Sequence, residues 1–287
     1  MGQNDQPQNN YIFNPEHAGE IARLVLKNQL YKKVLGAPFP EQEAEKLTEI
    51  HQVLDVGCGP AGWALDVAST YNHMHVVGID LNEVVVKHAR NEAQQLGLKN
   101  IEFIRMNALQ KRLDFQDAHF DLINMHSAAT FIRKGEWQPL LQECYRITRL
   151  GGIIRITHAD RAGLTNSLAF EKYHLFCSQA LYRMGYGFSP DGYTLGITPM
   201  LGQLLQDAGY KAVQMKPYVL DFSYDSPFNK DYRQNINAIF KQIQALFKDK
   251  NIELQPEIEE YYDKSLKEMR RDVFCGLQYQ VVAWSEK

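Results

Sequence analysis

The stretch that decides the fold is residues 53–62, which reads VLDVGCGPAG. It follows an apolar run of strand type and opens a segment with the pattern of a helix. Gly57 and Gly59 allow a tight turn and the close approach of a ligand to bare backbone, next to the free N–H groups of a helix start. Asp55 stands two residues before Gly57, where a carboxylate suits a cationic ligand group better than a pyrophosphate. The stretch predicts a strand, a ligand-binding turn and a helix.

Strands and helices alternate on both sides of this unit. Strands are predicted at residues 52–56, 75–79, 101–106, 120–125, 153–158, 212–222 and 278–284. Helices are predicted at residues 15–36, 62–71, 82–97, 137–150 and 199–209, with a long helical segment over 236–273. This rhythm predicts an α/β fold with a parallel, doubly wound sheet and right-handed crossovers.

Composition limits the classes of partner. With 45% hydrophobic residues and a formal charge of -3 over 287 residues, the chain is globular, and a near-neutral surface argues against nucleic acid as the main partner. Four scattered cysteines without a CxxC pair favour a reducing cytoplasm and argue against a disulfide scaffold or a metal site. Residues 1–10 are polar and predict a disordered tail, and no apolar stretch is long enough for a membrane span. We expect a soluble, cytoplasmic protein.

The glycines allow a second interpretation. Gly57, Gly59 and Gly62 also match the dinucleotide-binding pattern, and Asp80 follows Gly57 by 23 residues, near the position of the ribose-binding acid. A nicotinamide-dependent oxidoreductase of Rossmann type therefore remains open. Other features favour a different class, namely Asp55 ahead of the glycines, Asn107-Ala108 after the third strand and a late pair of strands.

With these residues, the chain resembles the class I S-adenosylmethionine-dependent methyltransferases, in particular their ubiquinone-biosynthesis-like small-molecule branch, over about residues 52–160. The resemblance implies S-adenosyl-L-methionine as cofactor. It also implies a Rossmann-like sheet of seven strands, mostly parallel, with the last strand antiparallel. We expect a disordered tail and an N-terminal helical lid at 1–49, the core at 50–222, a helical insertion over the substrate at 223–276 and the final strand at 277–287.

The resemblance also implies roles for individual residues. The side chains expected to surround the cofactor are Tyr11, Asp55, Gly57, Cys58, Gly59, Asp80, Leu81, Asn107, Ala108 and Met125. Within this set, Asp80 would bind the ribose hydroxyls and Asn107 the adenine edge. Two departures from the family pattern are Ala61, where glycine is usual, and Asn107, where aspartate is common.

Catalytic and substrate-binding residues are predicted from position. His126 and His158 fall at the carboxyl ends of predicted strands, where open α/β sheets bind ligands, and histidine can take a proton near neutral pH. A structural histidine is the alternative for His126 and the favoured interpretation for His158. Residues 161–197 hold seven aromatic residues, which either line an acceptor pocket or only join a helical cover to the sheet. The residues expected to bind substrate are Phe131, Tyr173, Phe176 and Tyr186.

Together these features predict methyl transfer to a hydrophobic small molecule, with oxygen as the first choice of acceptor atom and carbon and nitrogen left open. Secondary metabolism or a quinone-like pathway is the expected setting. Two alternatives remain: the nicotinamide-dependent oxidoreductase, and a fold that keeps the cofactor for cyclisation or sensing without methylation. The chain is expected to be a monomer or a homodimer.

Overall fold

The computed structural model describes residues 11–13, 18–250 and 256–287, and the tail predicted at residues 1–10 lies outside the described residues. The helices are α1 (Ala18–Leu35), α2 (Ala44–Thr48), α3 (Gly62–Thr70), α4 (Glu83–Gln95), α5 (Trp137–Ile147), α6 (Leu168–Arg183), α7 (Leu201–Asp207), α8 (Asn229–Asp249) and α9 (Pro256–Glu268). The strands are β1 (Gln52–Val56), β2 (His75–Asp80), β3 (Ile101–Arg105), β4 (Phe120–His126), β5 (Thr148–His158), β6 (Leu164–Thr165), β7 (Lys211–Asp221) and β8 (Gly276–Glu286).

The strands form one mixed sheet in the order β3-β2-β1-β4-β5-β8, with β7 paired along the other side of β8. Strands β1 to β5 are parallel, and β8 runs antiparallel to β5 and β7. The predicted α/β sheet with an antiparallel last strand is therefore confirmed. The structure adds β6, a two-residue strand paired with the start of β8, which is too short to show a period in the sequence.

Apolar strands place a core on each face of the sheet. Successive side chains of a strand point to opposite faces, so Leu54 packs with α5 and α7 while Val53 packs with α3 and α4. Because both faces are covered, the parallel strands read as nearly continuous apolar runs.

A third core lies in the helical cover, which consists of α1, α6, α8 and α9. Helix α1 packs on α8, and α6 packs on α9. Helices α8 and α9 lie between β7 and β8, whereas α6 joins the same cover from a segment predicted as part of the core. The fully buried aromatic rings of this cover include Phe170, Tyr173, Phe222, Tyr232, Phe240 and Phe247.

Candidate active site

A cleft of about 1110 Å³, its open mouth included, lies at the carboxyl ends of β1, β2 and β4 beneath α1. Nine of the ten residues expected around a cofactor line it, the exception being Met125. The nine are Tyr11, Asp55, Gly57, Cys58, Gly59, Asp80, Leu81, Asn107 and Ala108. These nine residues come from four separate segments of the chain that meet at one edge of the sheet.

The glycine loop between β1 and α3 is held against the end of β2. The backbone N–H groups of Gly57 and Cys58 donate to the Ile79 carbonyl at 2.9 and 3.0 Å, and that of Gly59 donates to the Asp80 carboxylate at 3.1 Å. Gly57 has φ +69°, and a Cβ there would lie 2.8 Å from the Phe131 ring. Since these three N–H groups already have partners within the protein, they are not available to bind a phosphate group of a ligand.

Two neighbouring residues complete the loop. Ala61, which stands where the family usually has glycine, adopts the left-handed conformation with φ 64° directly before α3. Burial raises the pKa of the Cys58 thiol well above its usual value, and the negative charges of Asp80 and Asp55 raise it further. Cys58 therefore lines the cleft as a small neutral group.

Asp80 is fixed at the end of β2. Its carboxylate accepts hydrogen bonds from the backbone of Gly59 and of Asn82, the latter at 2.9 Å, while the Asn82 side chain caps α4. Burial raises the pKa of Asp80, although these N–H donors oppose the shift. The result is a rigid pair of oxygen acceptors in the cleft wall, a geometry that suits two adjacent hydroxyl groups.

Asp55 belongs to a buried polar row that crosses three strands. Asn124 of β4 donates to Asp55 at 2.7 Å, Arg155 of β5 donates to the Asn124 carbonyl oxygen at 2.8 Å, and Arg155 pairs with Glu41 at 2.7 Å. Burial raises the pKa of Asp55 to about 7, against the hydrogen bond from Asn124 and the charge of Arg155. Sequence reasoning missed Asn124 and Arg155, whose signal was a polar residue in the middle of an apolar strand.

Met125 and His126 point to opposite faces of the sheet because they are adjacent on β4. Met125 is fully buried in the core with α5 and does not line the cleft. His126 lines the cleft, and its ring lies 5.0 Å from the Tyr31 ring, centroid to centroid. Burial lowers the pKa of His126 well below its usual value, and Lys27 and Arg155 lower it further. His126 is therefore neutral at neutral pH, and its buried Nε2 has no hydrogen-bond partner among the described residues.

His158 lies on the face opposite to His126, since His126 is paired with Thr157 across the two strands. It is buried outside the cleft lining, with Nε2 3.4 Å from an Asp160 carboxylate oxygen. That carboxylate accepts hydrogen bonds from the backbone of Ile197 and Thr198. Asp160 thus holds the backbone at residues 197–198, while neither buried ring nitrogen of His158 has a hydrogen-bond partner among the described residues.

Helix α1 forms the wall of the cleft above the glycine loop, through Arg23, Leu24, Lys27 and Asn28. Asn28 packs so closely that a Cβ at Gly62 would lie 2.6 Å from its amide nitrogen. No signal in the glycine stretch places α1 here, and sequence reasoning missed these four residues. A smaller hollow of about 380 Å³ adjoins the cleft and shares Asn28, Trp63 and His126 with it.

A buried charge network fixes α1 to its neighbours. The fully buried Glu20 carboxylate accepts two hydrogen bonds from Arg23 at 2.7 Å, and further bonds from the Tyr11 hydroxyl and the Gln242 amide. Arg23 also donates to Asn235 of α8 at 3.3 Å. The network joins the segment 11–13, α1 and α8, and it places Tyr11 in the cleft wall.

Of the four residues expected to bind substrate, Phe131 lines the cleft and the other three do not. Tyr173 donates its hydroxyl hydrogen to the Phe240 carbonyl at 3.0 Å, and the Phe176 ring packs 5.2 Å from the Phe247 ring. Tyr186 is buried in the same cluster. These rings pack within the helical cover, and among the described residues none of segment 161–197 lines the cleft.

Within residues 11–13, 18–250 and 256–287, no helix is long and apolar enough to cross a membrane. The same residues contain no group of three or more His, Cys, Asp or Glu side chains arranged for a metal ion. The cysteines Cys58, Cys144, Cys177 and Cys275 form no disulfide.

Known proteins match this chain around the cleft. A family model described as a methyltransferase domain matches residues 53–152, from β1 into β5. The chain is 27% identical over 217 residues to the uncharacterized protein RP789 of Rickettsia prowazekii, covering 72% of this chain and 36% of that protein. It is 31% identical over 115 residues to a demethylmenaquinone methyltransferase of Listeria welshimeri, covering 39% of this chain and 47% of that protein. The chain thus spans between about a third and a half of the length of these relatives.

Solved structures share the fold. The YcgJ protein of Bacillus subtilis superposes with a TM-score of 0.52 at 16% identity, covering 92% of this chain and 98% of that one. A putative methyltransferase of Bacillus halodurans superposes with a TM-score of 0.51 at 20% identity, covering 85% of this chain and 97% of that one. The [4+2]-cyclase SpnF superposes with a TM-score of 0.51 at 18% identity, covering 95% of this chain and 97% of that one.

Proposed function

The chain belongs to the class I S-adenosylmethionine-dependent methyltransferases, and on that premise we propose that its cleft binds S-adenosyl-L-methionine and methylates a small molecule beside α1 and His126. Residues 50–222 with 277–287 would form the catalytic core, and helices α1, α2, α8 and α9 its covers, together with α6. The whole would act as a cytoplasmic enzyme.

The observation that carries this proposal is the convergence in one cleft of the β1 acid, the glycine loop, the β2 acid and the pair after β3. The residues fit the cofactor: Asp55 and Asp80 are acceptors for its ammonium group and its ribose hydroxyls. Asn107 uses its side-chain oxygen to accept from Leu109 N–H at 3.0 Å, so its amide hydrogens are the groups left to donate to an adenine edge.

The bound cofactor supplies a methyl group on a positively charged sulfonium. The residues of the chain hold the two reactants in place, and such positioning contributes about 7–11 kcal/mol in well-oriented reactions. Asp55, held by Asn124, would orient the amino-acid end, and Phe131 packs over Gly57 next to it. Tyr11, Lys27 and His126 line the end where an acceptor would lie.

We place the acceptor among hydrophobic small molecules and the reaction at oxygen. Tyr11 and Phe131 supply apolar surface at this end of the cleft, whereas Lys27 and His126 supply polar groups. The Listeria relative is named for a quinone-type substrate, which is consistent with a ring-shaped acceptor, although the match covers 115 residues only. A role in secondary metabolism or in a quinone-like pathway follows from this class of acceptor.

A ligand comparison tests the proposal. We expect S-adenosylhomocysteine to raise the melting temperature of the protein and NAD to leave it unchanged, because the loop N–H groups are already bonded. Stabilisation by NAD alone would contradict the proposal. Incubation with S-adenosylmethionine and a panel of phenols, enols and amines should then release S-adenosylhomocysteine. Cofactor binding without release over the whole panel would favour the non-methylating alternative.

A further inference from the structure

Lys27 occupies a distinctive position in the cleft wall. It projects from α1 into the lining, and its Nζ lies 5.8 Å from the centroid of the Tyr31 ring. The Tyr31 ring in turn packs 5.0 Å from His126, at the carboxyl end of β4. Lys27 therefore lies at the end of the cleft where the acceptor would bind, and Asn28 lies nearer the glycine loop.

The charges around Lys27 leave its amine without an anion. Glu20, the acid whose charge acts on Lys27, is engaged by Arg23, Tyr11 and Gln242. Among residues 11–13, 18–250 and 256–287, Lys27 has no ion pair or hydrogen bond, whereas Lys33 on the same helix pairs with Asp231 at 3.7 Å. Burial lowers the pKa of Lys27 to about 7, the charge of Arg23 lowers it further, and Glu20 opposes the shift. Near pH 7 such an amine is partly neutral. It can therefore take up a proton and then pair with an anion.

We propose that Lys27 binds an ionisable oxygen of the acceptor, from a phenol, an enol or a carboxylic acid, as the oxyanion. The inference rests on the proposed function and adds the acceptor class to it. When the acceptor enters as O–H, its proton passes to the Lys27 amine, and the pair that results is an oxyanion beside an ammonium group. His126, neutral and with a free Nε2, supplies a second polar contact at the same end.

The same charges disfavour another class of acceptor. A basic amine enters as a cation, and protonated Lys27 would repel it at this end of the cleft, where the charge of Arg23 is already paired with Glu20. The geometry therefore separates methylation of an acidic oxygen from methylation of a basic nitrogen.

The test uses two probes of one shape. The full chain is saturated with S-adenosylhomocysteine and titrated at pH 7 with 2-naphthoate or 2-naphthamide, which differ in charge. We expect the wild-type protein to bind the naphthoate at least about tenfold more tightly. Lys27→Met should abolish that preference, and Lys33→Met should keep it, because Lys33 lies on the exposed side of α1.

The outcomes separate this inference from the proposed function. Equal affinity of the two probes for the wild-type protein, including no measurable binding of either, overturns the role of Lys27. So does a preference that survives in Lys27→Met. If Lys27→Met instead lowers the affinity for S-adenosylhomocysteine and keeps the preference for the naphthoate, Lys27 binds the carboxylate of the cofactor. The inference is then also wrong. Failure of the wild-type protein to bind S-adenosylhomocysteine contradicts the proposed function itself.

Discussion

At the scale of single residues, we expect cofactor binding to be coupled to the release of a proton from Asp55. Its pKa is about 7, so the carboxyl group of the free protein is mostly protonated at pH 6. An ammonium group beside it favours the ionised form. We expect binding of S-adenosylhomocysteine at pH 6 to release between about 0.5 and 1 proton, measured by calorimetry in buffers of different ionisation enthalpy. Asp55→Asn should remove this release, and an unchanged release in that variant would assign it to another group.

The same shift predicts how stability depends on pH. The pKa of Asp55 is raised on folding, so its contribution to stability is present below the unfolded pKa of about 4 and is lost as pH rises through about 7. Between pH 5 and pH 8, wild-type protein should therefore lose more stability than Asp55→Asn, by about 2 kcal/mol. If the stabilities of the two proteins change by the same amount between pH 5 and pH 8, the burial of a protonated Asp55 is contradicted.

Gly57 can be tested against a matched glycine. Gly57 and Gly97 both have positive φ, but a Cβ at Gly57 would meet Phe131 at 2.8 Å, whereas nothing lies within 4 Å of one at Gly97. Both alanine variants carry a backbone cost of about 1 kcal/mol. Only Gly57→Ala should also lower the affinity for S-adenosylhomocysteine, by about tenfold or more, because the added methyl group displaces Phe131 and narrows the loop. Equal affinities of Gly57→Ala and Gly97→Ala would show that the loop does not contact the ligand.

At the scale of elements, the position of α1 depends on the buried network around Glu20. Burial alone would raise the pKa of Glu20, but the hydrogen bonds from Arg23, Tyr11 and Gln242 lower it overall. Glu20→Gln leaves the buried Arg23 without its anion, a change that costs about 3–5 kcal/mol.

The melting temperature should therefore fall by about 6 °C or more in Glu20→Gln. Lys33→Met removes an exposed ion pair between the same two helices and should lower it by at most about 2 °C. If the two variants melt at the same temperature, the network does not hold α1 over the cleft.

At the scale of the whole molecule, local patterns predicted the sheet and the cofactor half of the cleft. Strand β1, the glycine turn and α3 follow from an apolar run, two glycines and a helical pattern, all within a few residues of one another, and both glycines adopt positive φ. The alternation of side chains along β4 also predicts that Asn124 and His126 share one face of the sheet and that Met125 lies on the other, in the core.

The acceptor half depends on packing between distant segments, which the sequence does not display. Aromatic residues such as Tyr173 and Phe176 look the same in a pocket and in a core, and the structure places them in the core of the cover. Lys27 reaches the cleft because α1 packs on α8, where Arg23 and Glu20 bond to Asn235 and Gln242. Burial of those charges is a property of the assembled fold and not of the α1 sequence.

The most direct test of the central claim is a calorimetric titration of S-adenosylhomocysteine into wild-type protein, Asp80→Ala and Asp114→Ala. Asp80 lies in the cleft wall, whereas Asp114 is exposed and does not line the cleft. We predict one site per chain, an affinity lowered by about a hundredfold in Asp80→Ala and unchanged in Asp114→Ala, with folding of both variants checked by circular dichroism. Wild-type affinity in a folded Asp80→Ala would contradict the assignment of this cleft as the cofactor site.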